Sequence, residues 1–427
     1  MNLTLHQADT RAVFQFNRVR DFAQRYIKIS CSVYRSPCAA YAHVRRNKNM
    51  QDVKKIAPIS FENWRAYLNS DNLVETSEYP LYTDAHITGE LTENLGPYKL
   101  FNTIPLYMNN LDIPSLVLRL DYYLEYDHSK IKMDKTDTSR YHGGDIVDEI
   151  AALVSLCFGF RLMAGGVTRE FRIDDPKGRP VSYGSFVKQP LTFRKQDKRF
   201  ILPQKLGTFN LLPNSLLTRF SELDEEDANE LVRAARSYQT GLWISEYQPE
   251  LSWIMFVSAV ETVAGRWRKE KYDPVERLQI FKPSLVKILD EQGGIELVKS
   301  VANEISDFVG ATKTFVDFIL EYFPEEPKER PPIHSRIDWT KKSFNKYLRQ
   351  IYKYRSNALH GGTPFPSPMS EPPMKFEGKF LERPAGLATS SHNAVWTQKD
   401  LPMLLHTFEY VVRNSIINWW KSLYENA

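Results

Sequence analysis

Short runs of strand-forming residues dominate the first half of the chain, and apolar residues at helical spacing dominate the second. In the first half, residues 99–104 and 115–126 are rich in strand formers. The turn signals Gly96-Pro97, Asn109-Asn110 and Ile113-Pro114 bound them. Residues 130–140 are polar and read as a loop or hairpin. One helix interrupts the strands: Ile146, Ile150, Leu153, Val154 and Cys157 keep a helical period from Asp145 to about Met163. Asp145 serves as its N-cap and Gly165-Gly166 as its stop. A short strand set follows over residues 168–200, broken at Asp174-Asp175-Pro176-Lys177-Gly178.

From Leu216 onward the pattern is helical. Residues 221–230 hold six acids where a helix begins, which complements the positive end of its dipole. A second helix spans residues 249–271, with Leu251, Ile254, Met255, Ala259, Thr262 and Val263 along one side. A third is expected over 274–292 and a fourth over 295–323. Residues 324–332 carry four prolines and form a stiff polar connector. A fifth helix runs over 338–359. The last covers about 399–424, with Leu401, Leu404, Leu405, Phe408, Val411, Val412 and Ile416 on its buried face. Between these two lies a proline-rich loop, 361–398, holding Pro364, Pro366, Pro368, Pro372, Pro373 and Pro384; a structureless loop of that length points to function or disorder. The expected fold class is α+β: a β-rich mixed domain over residues 1–212, a candidate sensor or regulatory unit, followed by an all-α bundle over 213–427.

Composition adds little beyond this. The chain has 427 residues, 42% hydrophobic and 25% charged, with a net charge of +4, too small to imply nucleic-acid binding by itself. Three cysteines (Cys31, Cys38, Cys157) fit neither a disulfide framework nor a zinc knuckle and suggest a reducing compartment. Charges run through the first thirty residues, so no secretory signal is expected, and the longest apolar run, about 151–160, is too short to span a bilayer. A cytoplasmic protein without membrane partners is the expectation. The chain carries no Walker A loop, dinucleotide GxGxxG, HExxH, GxSxG or paired CxxC, which argues against NTPases, Rossmann oxidoreductases, zincins and α/β-hydrolases.

The charge distribution is more informative. Residues 340–360 hold Lys341, Lys342, Lys346, Arg349, Lys353 and Arg355 and no acid, with Tyr347, Tyr352 and Tyr354 interleaved. Lysines and arginines such as Lys346, Arg349 and Lys353 can bind phosphates, and aromatics can stack on unpaired bases. The competing reading is a solvated helix face with tyrosines at the core edge. Arg355 falls on the apolar stripe Phe344, Leu348, Ile351, Arg355, Ala358, so its guanidinium needs an anion. Glu261, on the second helix, is the candidate, either as a purely structural partner or as part of a site. His360 precedes Gly361-Gly362, good chemistry for a helix C-terminus in its own right. A five-residue offset turns two side chains by about 140° on a helix. Arg355 and His360 therefore converge only if the helix ends near Leu359 or a second protomer supplies the matching pair.

The stretch Ile351-Tyr-Lys-Tyr-Arg-Ser-Asn-Ala-Leu-His-Gly-Gly362, preceded by Ala259-Val-Glu261-Thr on an earlier helix, resembles the HEPN superfamily, most closely its Apea-like branch. The resemblance covers residues 216–427; the first half matches no domain of that kind. It implies a helical bundle that homodimerises so that two Arg/His motifs face each other across a cleft. It also implies a metal-independent endoribonuclease without cofactor, often a toxin or an effector of bacterial antiphage defence. By position, Arg355 and His360 become the catalytic pair, Glu261 the acid that orients the arginine, and Ser356 the polar residue that typically follows it; Asn357 could support them by hydrogen bonding, with a helix-surface or capping amide as the simpler reading. The spacing is at the short end of the family's range, and the loop after His360 is unusually long. His360 would then act as general base on a ribose 2′-hydroxyl or as general acid on the leaving 5′-oxygen. Arg355 would stabilise the phosphorane oxygens, and the products would be a 2′,3′-cyclic phosphate and a 5′-hydroxyl. A trigger would bind the N-terminal half.

Two rivals stand beside this. The bundle could be a non-catalytic dimerisation or RNA-binding module, with Arg355 tied to Glu261 and His360 only ending the helix. A small-molecule enzyme in the N-terminal half has no motif behind it. Weaker features are His142-Gly-Gly-Asp145, which a turn into a helix explains, and a basic patch of Arg161, Arg169 and Arg172, more simply read as partners of acids such as Asp174 and Asp175. His128, His334, His392 and His406 lack ligand-like spacing.

Overall fold

Strand β1 (Glu75–Tyr82) is the centre of the strand-rich half. The computed structural model describes residues 57–102, 116–124, 136–172, 174–180, 199–212, 214–305, 310–386 and 388–425. On one side β1 pairs antiparallel with β4 (Leu116–Tyr122), which pairs in turn with β3 (Tyr98–Asn102). Along its other edge it pairs with the short β5 (Met163–Ala164) and with β6 (Arg169–Arg172), followed by β7 (Asp175–Pro180). A separate parallel pair joins β2 (His86–Gly89) to β8 (Thr208–Leu211). Leu116, Leu118 and Leu120 alternate into the core, as period-2 burial of one face requires. The cross-strand pair Glu78 and Arg119 lies on the other face, 2.5 Å apart.

Two helices cover this half. α1 (Ile59–Leu68) starts where the Glu149 carboxylate accepts from the amides of Ser60, at 2.7 Å, and Ile59, at 3.3 Å, an anion at a helix N-terminus. Glu149 belongs to α2 (Ile146–Phe158), which is buried at every position from Ile146 to Cys157 and packs on α1, β5 and α4 (Glu225–Ile244). The polar side chains of α2 are buried with partners: Glu149 takes the α1 amides and His142, and Ser155 donates to the Phe160 carbonyl. Asp145 caps α2 through the amides of Val147 and Asp148, as expected.

The helical half follows a short α3 (Ser215–Thr218). α4 begins with Asp224 as N-cap and Glu225, Glu226 and Asp227 in its first turn. Arg266 of α5 (Pro249–Lys271) reaches this acidic end, with Nε 2.7 Å from Asp227. α5 is the hub: it touches α4, α8 (Ala311–Glu321), α9 (Lys341–His360) and α10 (Leu405–Glu425). The fold class is α+β, strand-rich first and helical after. One continuous hydrophobic core runs from Ala57 to Trp420 across the position 212/213.

Several boundaries differ from the sequence expectation. α2 stops at Gly159, in the left-handed conformation (φ 74), not at Gly165-Gly166; Met163 and Ala164 are already strand. The helix expected over 274–292 is broken at Pro283 into α6 (Pro274–Phe281) and α7 (Pro283–Ile305), because proline cannot donate the amide that would continue α6. α7 itself breaks at Gly294 (φ 64). The helix expected over 295–323 is interrupted before α8, where Gly310 (φ 75) lies against the Phe281 ring, so close that a Cβ would overlap it at 2.3 Å. The last helix begins at Leu405 rather than near Lys399; Leu401 and Leu404 are buried ahead of it in non-helical chain. The loop 361–398 is not structureless. It holds two small hairpins, β9–β10 (Lys375–Phe376, Lys379–Phe380) and β11–β12 (Ala388–Ser391, Ala394–Thr397). Both turn on positive-φ pairs, Glu377-Gly378 and His392-Asn393. Cys31, Cys38, His128 and most of the segment 168–200 beyond Pro180 lie outside the described residues.

Arg161 bears out the simpler reading of the arginines, as a partner of acids, although the acids are Asp84 and Glu246 rather than Asp174 and Asp175. Arg161 is fully buried. Its Nε donates to the Leu242 carbonyl (2.8 Å), Nη1 to Asp84 (2.8 Å), and Nη2 to Ser245 (3.0 Å) and Glu246 (2.7 Å). Glu246 also accepts from the amides of Ile201 and Leu202. Burial pushes the Asp84 carboxyl above its ordinary value, and the Arg161 charge opposes that shift. Replacing Arg161 with Met would leave two buried carboxylates without their cation. The expected loss is about 3–5 kcal/mol of unfolding free energy, read from urea denaturation.

His406 is buried in α10, with Nε2 2.8 Å from the Leu381 carbonyl and Nδ1 3.1 Å from Gln204. Burial lowers its pKa below 6.5, with the Leu381 hydrogen bond opposing. The unfolded chain therefore takes up a proton that the folded chain resists. This contribution is complete above about pH 6.5 and is lost as the pH falls below it. Denaturation between about pH 7 and 5 should show wild type losing stability relative to His406→Gln.

Candidate functional site

The site expected from sequence sits on α9, whose two faces are chemically opposite. Thr340 caps the helix, its hydroxyl accepting from the Ser343 amide at 3.3 Å. Phe344, Leu348 and Ile351 are fully buried against the bundle. One turn beyond Ile351 on the same stripe comes Arg355, whose side chain is 20% accessible. Its Nη2 lies 2.6 Å from Glu261 Oε2, so the helical stripe and the hub helix α5 meet as a cation and an anion.

A residue that the sequence reading did not assign to the site completes this corner. The Tyr352 hydroxyl donates to the other carboxylate oxygen, Glu261 Oε1, at 2.6 Å, and the Arg355 guanidinium lies 5.4 Å from the centre of the Tyr352 ring. Glu261 is thus held by two donors from the same helix, spaced three residues apart. Burial raises the Tyr352 pKa, and the hydrogen bond to Glu261 adds to the rise. Tyr352 occupies one oxygen, so Arg355 binds with one nitrogen instead of a two-nitrogen fork, and its buried Nε has no hydrogen-bond partner among the described residues. The signal in the sequence was the i, i+3 offset from Tyr352 to Arg355, which places both over the same neighbour.

The other tyrosines are tied down as well. Tyr354 donates to the Asp400 carbonyl (2.7 Å) and accepts from Gln350 (2.9 Å), and Tyr347 packs edge-on to Phe344. Tyr352 is buried, and Tyr347 and Tyr354 are half-buried, which places these residues at the core edge.

His360 lies elsewhere. The α-helix continues through His360, and the amides of Gly361 and Thr363 both return to the Asn357 carbonyl. The helix does not unwind before the histidine, so Arg355 and His360 remain about 140° apart around the axis of one chain. His360 is exposed; Ser356 and Asn357 are half-buried beside it. On a 100° wheel His360 falls in line with Lys342, Lys346, Arg349 and Lys353, all within an arc of about 60°. Every one of them is exposed. The loop after His360 is fastened within five residues: Phe365 is buried and stacks on Trp253, which is sandwiched from the other side by Phe408.

A cavity of about 520 Å³ lies among Lys205, Glu382, His406, Glu409 and Tyr410, and neither Glu261, Arg355 nor His360 is in its wall. Among the described residues no three His, Cys, Asp or Glu side chains converge to hold a metal ion, and no helix is long and apolar enough to cross a membrane. Compared with family models, curated proteins and solved structures, the chain matches none.

Removing only the Tyr352 hydroxyl tests how this corner is held. Tyr352→Phe should cost about 1.5 kcal/mol of stability in chemical denaturation, the value of a hydrogen bond to a charged group. An unchanged unfolding midpoint would show that the Glu261 contact is idle.

Proposed function

We propose that the chain is a metal-independent endoribonuclease of HEPN type, working as a homodimer through its helical half. The observation that carries this reading is the corner of Glu261, Tyr352 and Arg355. It positions a guanidinium at the bundle surface with a single nitrogen engaged, at the end of a basic helix that also bears an exposed imidazole. Such a guanidinium suits a phosphodiester, and the imidazole suits proton transfer at neutral pH. His360 takes the 2′-hydroxyl proton or gives one to the 5′-oxygen, and Arg355 stabilises the charge on the phosphorane. The nucleophile belongs to the ribose, so DNA is not cut. Because the two groups diverge on one helix, the working pair is made of Arg355 from one copy and His360 from the other. The role that fits such a chain is a defence or toxin effector, controlled through its strand-rich half.

The second reading is a non-catalytic HEPN-like dimerisation or RNA-binding module. The closed Arg355–Glu261 pair and the regular helix through His360 favour it wherever two copies do not meet.

One experiment separates them. Purified protein should cleave RNA in EDTA to 2′,3′-cyclic ends. His360→Ala should lower the rate about 10²–10⁴-fold and Arg355→Ala about 10²–10³-fold, with unchanged circular dichroism. Mixing the two inactive variants should restore cleavage, since a mixed dimer keeps one intact Arg/His pair. Cleavage that survives both substitutions sinks the assignment, and RNA binding without product favours the second reading.

A further inference from the structure

We propose that the exposed face of α9 is a binding track for one strand of single-stranded RNA, gripped through successive phosphates by Lys342, Lys346, Arg349 and Lys353 and ending at His360. This deepens the endoribonuclease reading and rests on it only for the role of His360.

The first argument is what these cations lack. Elsewhere a number of surface basic side chains have an acidic partner: Arg65 with Glu225, Arg219 with Glu222, Arg233 with Glu230, Lys299 with Glu296, Lys379 with Glu329. Residues 340–360 contain no acid at all. None of Lys342, Lys346, Arg349 and Lys353 has an ion-pair partner among the described residues; Arg349 Nε donates to the neutral Asn345 Oδ1, at 2.8 Å. The nearest acid before the helix, Asp338, is engaged by the hydroxyls of Thr340 and Ser343.

The second argument is that helix stability does not explain the arrangement. Lys341 and Lys342 stand in the first turn, at the positive end of the dipole, where α4 and α6 carry acids. Lys342 and Lys346, and again Arg349 and Lys353, are like charges four residues apart, which repel. An anion from outside the chain resolves both conflicts.

The third argument is shape. The row from Lys342 to His360 is straight, about 27 Å long, with a rise of about 4.5–6 Å between neighbouring cations up to Lys353. A single row follows one extended backbone. The phosphates of a duplex wind away from a straight helix, so fewer of them meet it. Tyr347, Tyr352 and Tyr354 lie at the core edge and outside the row of cations, so the grip is on phosphate and indifferent to sequence. The track passes the histidine and leaves the Arg355 of the same chain on the far side of the helix, which again calls for the arginine of a second copy.

The test is anisotropy of a labelled 2′-O-methyl RNA twelve-mer, which has the phosphates but no nucleophile, titrated with the full chain across a salt series. Four phosphate contacts predict a slope of log Kobs against log[salt] of about −3, at about −0.7 per contact on a single strand. Lys346→Gln, Arg349→Gln and Lys353→Gln should each make that slope shallower by about 0.7, equally for unrelated sequences, and Lys299→Gln, on α7, should leave it unchanged. A duplex of the same sequence should bind more weakly with a shallower slope. The track is overturned if the single-strand slope is shallower than about −1, if the glutamine variants leave it unchanged, if the duplex binds as tightly, or if polyaspartate competes as well as RNA. Failure here is distinct from failure of the nuclease reading. Cleavage with an unaltered KM in the triple glutamine variant removes the track alone. A full salt slope with no cleavage keeps the track and removes the enzyme.

Discussion

A guanidinium sealed from water, that of Arg161, ties the strand-rich half to the helices. It takes Asp84 from the end of β1, Ser245 and Glu246 from the end of α4, and the Leu242 carbonyl in one plane of hydrogen bonds. Glu246 then passes the constraint to the backbone of Ile201 and Leu202, just ahead of β8. Four chain segments far apart in sequence are thus pinned through a single cation. Such a cluster adds little net stability over an apolar substitute, but any wrong arrangement leaves a charge stranded, which is how it selects one register. The position of α4, and through it of the hub helix α5, follows from that choice.

The candidate site inherits its geometry from the hub. Glu261 stands on α5 facing α9, and the only stripe of α9 that can face it is the one already committed to the core by Phe344, Leu348 and Ile351. Arg355 is therefore drawn to the bundle side of the helix and every unpaired cation of α9 to the solvent side. The chemistry of the helix is divided by its packing, with a carboxylate-held guanidinium on one side and an exposed row of cations ending in an imidazole on the other. The Tyr352 hydroxyl keeps the Glu261–Arg355 contact single, so the guanidinium is oriented without being fully saturated.

Much of this was legible in the chain because it is local. The Asp145 cap, the bounds of α5, the acidic start of α4 and the stripe that carries Arg355 all follow from periodicity and end signals within a few residues. The acid opposite Arg355 was legible too, since a basic group on an apolar stripe requires one. What misled were competing signals of similar strength. Gly159 and Gly165-Gly166 both suit a helix stop, and only the pairing of Met163-Ala164 with β1 decides for the first. Prolines in the loop 361–398 hid two hairpins whose turns use non-glycine positive-φ residues such as His392 and Asn393. Tyr352 reads as one more aromatic in a basic helix until Glu261 is set beside it.

The amino-acid sequence by itself determined the succession of a strand-rich half and a helical half, the bounds of α5, the amphipathic division of α9, and the presence of a basic row without acids, because each depends on neighbours within a turn or two of chain. Only the tertiary structure decided that Arg161 lies inside rather than on a patch, that Glu261 is shared between Tyr352 and Arg355, and that His360 keeps company with the lysines rather than with Arg355. Those outcomes depend on which distant groups are brought within hydrogen-bonding reach and on how far a helix continues before it ends. Burial and long-range packing settle both, and no local spacing encodes them.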